Sequence, residues 1–445
     1  MPVKPAIFIP GFPASELHDT ESGAALFPPP LPVLLNAAKR AALLDELTDI
    51  PGHVVAGLPI ASILGGVVQE AQSIYNILHG QFGYDISPAS RDLLPIGWDW
   101  RQSIASDDTV QRLTDALDKL SPAKNGNVVA IVHSTGGLVF RAFLEKKPEY
   151  AQCFEQVLSF GIPWAGTLEA LHAVTEGVSI AFLFITLLSR AEGRRLMARA
   201  LAAYDLFPTD PDLGLFFGAD GKPTTPLVDQ SWIHEQFMRD LAAKAHGPFP
   251  RTFDTLPVTN VCGWGAPTWT AASIENGDVV YGPTSKEAGD GTVPFVSSSW
   301  LQGKNVRSMF LPIGAYATGF LPKIHGQIWD SPPVLQLFNE VIADRKRQPF
   351  LCAAADSDQQ IDVNSDVAVR ISAMDADGNP LPNCTAVANL DGNRSKPLDL
   401  SAKKGTIVVR RQGMQHNIGS DIYRFMIEFK WDGGSDKRAV LVHSI

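Results

Sequence analysis

Apolar and polar positions follow two rhythms along this chain, and the change between them falls near residue 348. Before it, short strand-like runs alternate with stretches of helical spacing. The strand-like runs are Ala6-Ile7-Phe8-Ile9, residues 93–96, 127–133, 154–162, 258–263 and 308–311. The continuous run at 127–133 predicts a strand covered on both faces. Between them, residues 60–78 have helical spacing. A helix capped by Asp107 or Asp108 should bury Val110, Leu113, Leu117 and Leu120. Further helices are predicted over 138–147, stopped before Pro148, and over 332–343. Strand–helix–strand alternation predicts a mostly parallel sheet with right-handed crossovers. Residues 13–60 read as an irregular excursion with a helical piece near 34–47. From Trp164 to about Leu256 strand signals vanish, which predicts a helical cap (about 165–256) inserted into an α/β core. Beyond 348 apolar and polar residues alternate with turns between: 367–371, 406–409, 422–431 and 439–442. That spacing predicts a β-sandwich over 348–445, after an α/β domain over 1–347.

Bulk properties narrow the function. The chain has 445 residues, enough for two or three cores. A net charge of −10 argues against nucleic acid as the partner, because phosphate binding needs a basic field. Cys153, Cys262, Cys352 and Cys384 show no metal-ligand spacing, so no metal is expected. Reduced thiols are the expectation, and Cys352 with Cys384 is the pair to test for a bridge. No leader precedes the first strand, which leads us to expect a cytoplasmic location, leaderless secretion or a trimmed chain being the alternatives. The longest apolar run, 178–188, is shorter than the roughly 20 residues needed to span a bilayer.

The chemistry centres on Ser134. It stands between the run Val128-Val129-Ala130-Ile131-Val132-His133 and the run Thr135-Gly136-Gly137. A strand that turns sharply into a helix can lift a serine above a sheet, and small flanking residues let the turn close. Val132 occupies the position where such turns usually carry a first glycine; Gly136 keeps the second. A serine hydroxyl needs a histidine to take its proton and an acid to orient that histidine. Asp290, in Gly289-Asp290-Gly291-Thr292, and His325, before the last helix, follow Ser134 in the order this fold uses. The oxyanion donors should be the backbone N–H groups of Thr135 and of Phe12, since Pro13 has none. No role is assigned to His133.

Together these segments resemble the lecithin–cholesterol acyltransferase family, with its lysosomal phospholipases A, phospholipid–diacylglycerol acyltransferases and bacterial relatives. The matching pieces are Ile9-Pro10-Gly11, Gly97-Trp98-Asp99-Trp100-Arg101, the Ser134 turn, Phe160-Gly161-Ile162-Pro163-Trp164, Tyr204-Asp205-Leu206-Phe207-Pro208 and Gly289-Asp290-Gly291-Thr292-Val293-Pro294. The resemblance implies an α/β-hydrolase that cleaves lipid or other carboxylic esters through an acyl-enzyme, without a cofactor. Ser134, Asp290 and His325 would be its triad, with Phe12 and Thr135 as oxyanion donors. Acyl transfer to an alcohol, a non-catalytic pocket for a hydrophobic ligand, and a delivered lipase toxin are the alternatives. Trp98 and Trp164 are candidate substrate contacts. The run 178–188 with Arg190, Arg194, Arg195 and Arg199 reads either as a membrane-meeting lid or as a packed cap helix. Asp375, Asp377 and Asn379 read as a turn rather than a calcium loop. No partner is predicted for the β-region.

Overall fold

The computed structural model describes residues 4–29, 31–50, 54–59, 74, 77–80, 82–85, 92–121, 126–182, 185–313, 325–342, 350–355, 367–374, 383–390, 393–394, 397–400, 404–409, 422–432 and 434–443. Most of the helix expected over 60–78, and the segment holding Asp375, Asp377 and Asn379, lie outside them. Contacts divide the chain into two units, residues 1–309 with 313–331 and residues 310–312 with 332–445.

The first unit is built on a six-stranded sheet. Its strands are β1 (Ala6–Ile9), β2 (Leu93–Pro95), β3 (Val128–His133), β4 (Phe154–Phe160), β5 (Val258–Trp264) and β6 (Val306–Pro312, of which 306–309 fall in this unit), in spatial order β6-β5-β4-β3-β1-β2. The pairings β2–β1, β1–β3, β3–β4 and β4–β5 are parallel. Every residue of β1, β3 and β5 is buried, Thr259 and Asn260 of β5 included, as a sheet covered on both faces requires. The register sets Ile9 beside Val132, His133 beside Phe160, and Phe160 beside Val261. The carboxyl ends of four neighbouring strands therefore lie together, where open parallel sheets carry their sites.

Helices α1 (Ala37–Thr48), α2 (Asp107–Leu120) and α3 (Thr135–Lys146) belong to this unit. Helix α2 buries Val110, Leu113 and Leu117, but its cap is Ser106, whose side chain accepts the Thr109 N–H. Asp107 and Asp108 sit one step later, in the first turn, where a carboxylate meets the positive end of the helix dipole. Residues 13–60 are more ordered than their composition suggests: Ser15–Asp19, Ala25–Phe27 and Val54–Pro59 form a small antiparallel sheet.

The inserted region is not wholly helical. It contains α4 (Leu168–Thr175), α5 (Arg190–Met197), Leu201–Asp205 and Gln236–Ala242. The apolar run thought to be a cap helix instead pairs with itself, Ile180–Phe182 against Ile185–Leu188. Isoleucines with a threonine at short spacing suit a hairpin better than a helix turn. Phe216–Phe217 pairs with Ala272–Glu275, so the insertion's small sheet reaches beyond 256.

The second unit holds α6 (Pro332–Val341) and two antiparallel sheets. One joins Phe350–Ala355, Val367–Met374 and Lys404–Val409. The other is built on Thr385–Leu390, Ile422–Trp431 and Gly434–His443. The change of texture at 348 marks where strands begin; by contacts, α6, expected to close the first domain, groups with the second unit. Cys153, Cys262 and Cys384 are buried reduced thiols, so Cys384 does not bridge to Cys352. Among the described residues, no helix is long and apolar enough to cross a membrane and no cluster of metal-ligating side chains occurs.

Candidate active site

Strand β3 ends at His133 and α3 begins at Thr135, so the turn between them is one residue long. That residue, Ser134, has φ 50° and ψ −131°. A non-glycine residue held there stores about 1–3 kcal/mol of strain, which the surrounding packing must hold. The packing is close. A β-carbon on Gly11 would stand 2.7 Å from the Ser134 Cβ, and one on Gly136 would stand 2.3 Å from the Ile9 carbonyl oxygen. The intimate contacts thus fall on Gly11 and Gly136. Val132 stays in the ladder between Ile9 and Ser159 and is fully buried.

Asp290 lies in a tight loop that begins beyond β5 and pairs back with Ala266. Its Oδ1 accepts the N–H groups of Thr292 at 3.1 Å and Val293 at 2.8 Å. Its Oδ2 lies 2.7 Å from Nδ1 of His325, and its backbone oxygen accepts the His325 N–H at 3.1 Å. Asp290 is completely buried and His325 nearly so. One carboxylate oxygen is thus fixed by backbone donors and the other by the imidazole, which orients the ring and sets Nδ1 as its donor. Gly161, at φ +58°, is the floor beneath this pair. A β-carbon there would stand 2.9 Å from Cε1 of His325 and 3.0 Å from Oδ2 of Asp290.

His133, to which the sequence reading assigned no role, supports the other face of the imidazole. Its ring centroid is 4.6 Å from that of His325 and 4.5 Å from that of Trp329. Its Nε2 donates to the His325 carbonyl at 3.3 Å. Burial, and then the neighbouring His325 ring, hold its imidazole well below the usual histidine range, so it stays neutral. Only the fold reveals this, because 192 positions separate the two histidines.

Phe12, Ser134 and Thr135 share the wall of a cavity of about 190 Å³ with small and aliphatic side chains such as Ala170, Ala173 and Leu206. Phe12 sits inside the turn closed by the Ala14 N–H on the Gly11 carbonyl, and Thr135 is the first residue of α3. Two tryptophans singled out from sequence are elsewhere. Trp98 is fully buried and donates its indole N–H to the Pro10 carbonyl, and Trp164 donates to Asn260. Neither is among the residues lining the cavity. The Trp98-to-Arg101 run ends in a buried ion pair of Arg101 with Asp99 at 2.8 Å. Three of the four arginines beside the hairpin are engaged within the chain: Arg194 pairs with Glu235, Arg195 with Asp45, and Arg199 lies over the Phe237 ring.

The class that this sheet and its strained serine turn define is the α/β-hydrolase. Within that class the chain is like the lecithin:cholesterol acyltransferases, whose family model matches residues 67–232. The matched stretch takes in the Trp98 run, the Ser134 turn and Tyr204-Asp205, while Asp290 and His325 lie beyond it. Among curated proteins nothing matches. Among solved structures, the Tle4–Tli4 complex is similar at 15% identity over 75% of this chain and 96% of that chain, with a TM-score of 0.48. A lipase of Bacillus licheniformis, BlEst2 in its propeptide form, is similar at 11% identity over 98% of this chain and 93% of that one, with a TM-score of 0.29. Lipase B of Aspergillus fumigatus has 15% identity over 58% of this chain and 37% of that one, with a TM-score of 0.23.

Proposed function

We propose that the protein is a serine hydrolase of lipid or other carboxylic esters, with Ser134 as nucleophile, His325 as base and Asp290 as its orienting acid. The observation that carries this reading is the Asp290–His325 pair at 2.7 Å, packed over the residue that precedes a strained, cavity-facing Ser134.

The steps follow from the groups available. His325 takes the Ser134 hydroxyl proton at Nε2 as Oγ attacks the ester carbonyl carbon. Negative charge develops on the carbonyl oxygen and is met by the N–H groups of Phe12 and Thr135. His325 then gives its proton to the departing alcohol, leaving an acyl group on Ser134. Water, deprotonated by the same imidazole, releases the acid and restores the serine. Asp290, held by its two backbone donors, favours the imidazolium form in both halves. The apolar cavity beside Ser134 favours an acyl chain over a small polar ester.

Ser134→Ala should lower kcat toward p-nitrophenyl esters by about 10⁴-fold or more, because the remaining groups cannot form the acyl-enzyme. Turnover by this variant at the wild-type rate contradicts the proposed roles.

A further inference from the structure

The cavity beside Ser134 is lined mainly by apolar side chains, with the hydroxyls of Ser134, Thr135, Thr167 and Thr292 among them. Among the described residues that line it, only Glu169 carries an ionisable side chain, set among Ala170, Ala173, Val178 and Met197. Glu169 belongs to the first turn of α4, where a solvated carboxylate would be favoured by the helix dipole. Here burial dominates and raises its pKa, opposed by the nearby His172 imidazole and a hydrogen bond from the Trp269 side chain. His172 packs against Trp269 and Tyr281, with ring centroids 5.6 and 5.0 Å away. The titratable groups around Glu169 are therefore His172 on its own helix and Tyr281 on Asp278–Tyr281, with Glu176 beyond Tyr281.

We infer that Glu169 decides which acyl chains the cavity accepts: protonated, it lets a plain alkyl chain lie across it, and ionised, it rejects chains long enough to cover it. An uncharged carboxyl keeps its bond to Trp269 beneath methylene groups at little cost. A carboxylate under the same chain loses its remaining water, and the penalty falls on the bound state. Since folding raises this carboxyl's pKa, the proton is held below that raised value and lost above it. Long-chain binding should therefore be strongest at low pH and weaken as pH rises. The kinetic form of this inference rests on the ester-hydrolase reading; the binding form does not.

Two measurements on the full chain test it, each with wild type, Glu169→Gln and Glu169→Leu. The glutamine variant keeps the size and removes the titration. Decanol affinity, by calorimetry, should fall about tenfold in wild type between pH 5 and pH 9 and stay level in both variants. The ratio of kcat/KM for p-nitrophenyl decanoate over butyrate should fall in wild type as pH rises through the carboxyl's raised value, from the lowest pH at which both esters turn over, and stay level in Glu169→Gln. Titration of His325 affects both esters alike and cancels in the ratio. Absent decanol binding at pH 5, or the same pH response in wild type and Glu169→Gln, overturns the inference. Proton-dependent decanol binding with no turnover of any ester supports it and instead counts against the hydrolase reading.

Discussion

Ser134 spends conformational energy to stand where it does, and the residues that hold it there are mostly glycines. Gly11 and Gly136 make room for the turn, and Gly161 makes room for the Asp290–His325 pair. Adding a methyl group at Gly161 would push on Cε1 and Nδ1 of His325 in a backbone conformation that alanine also disfavours. Gly161→Ala should therefore lower kcat about 10²-fold with unchanged far-ultraviolet circular dichroism, because a shift of about 1 Å at the base is enough. Steady-state kinetics with p-nitrophenyl butyrate would check it; activity within twofold of wild type would count against this role for Gly161. Ser134, Asp290 and His325 were legible as candidates because chain order and flanking patterns single them out. His133, Gly161 and Glu169 were not, since each matters through a neighbour distant in sequence or through the burial of one side chain. Trp98 shows the converse: an eye-catching residue whose indole is used up on the Pro10 carbonyl.

At the scale of elements, buried runs were read with little error. Strands β1 and β3 occupy 6–9 and 128–133, where the apolar run ended and the serine began. Doubly covered strands admit few polar residues, so their boundaries are visible. Partly exposed elements were harder. The sheet formed by Ser15–Asp19, Ala25–Phe27 and Val54–Pro59 mixes buried with exposed positions and looked irregular. The run 180–188 is apolar except for Thr186, a pattern that does not separate strand from helix. Tight polar ties hold these excursions to the core. Arg101 meets Asp99 through Nε at 2.9 Å and Nη2 at 2.8 Å, with Nη1 directed at the Leu47 and Asp49 carbonyls at the end of α1. Both side chains of the pair are buried, so removing one leaves the other charge uncompensated. Arg101→Ala should lower the stability of the first unit by about 3–5 kcal/mol, measured as a shift of the urea midpoint. A loss below about 1 kcal/mol would mean that the pair is solvated in solution.

For the whole molecule, the alternation of strands and helices foretold the α/β-hydrolase, and the alternation of apolar and polar residues after 348 foretold antiparallel sheets. The division of contacts was less visible, because it follows packing, and α6 looks in sequence like any closing helix of the first unit. We propose one atom among 445 residues, Oγ of Ser134, as the nucleophile. The most direct test is to treat the full chain with a fluorophosphonate, measure the intact mass and map the modified peptide, alongside Ser134→Ala. The account predicts a single adduct on the peptide containing Ser134 in wild type and none in the variant. An adduct on another residue, or equal labelling of the variant, would contradict it.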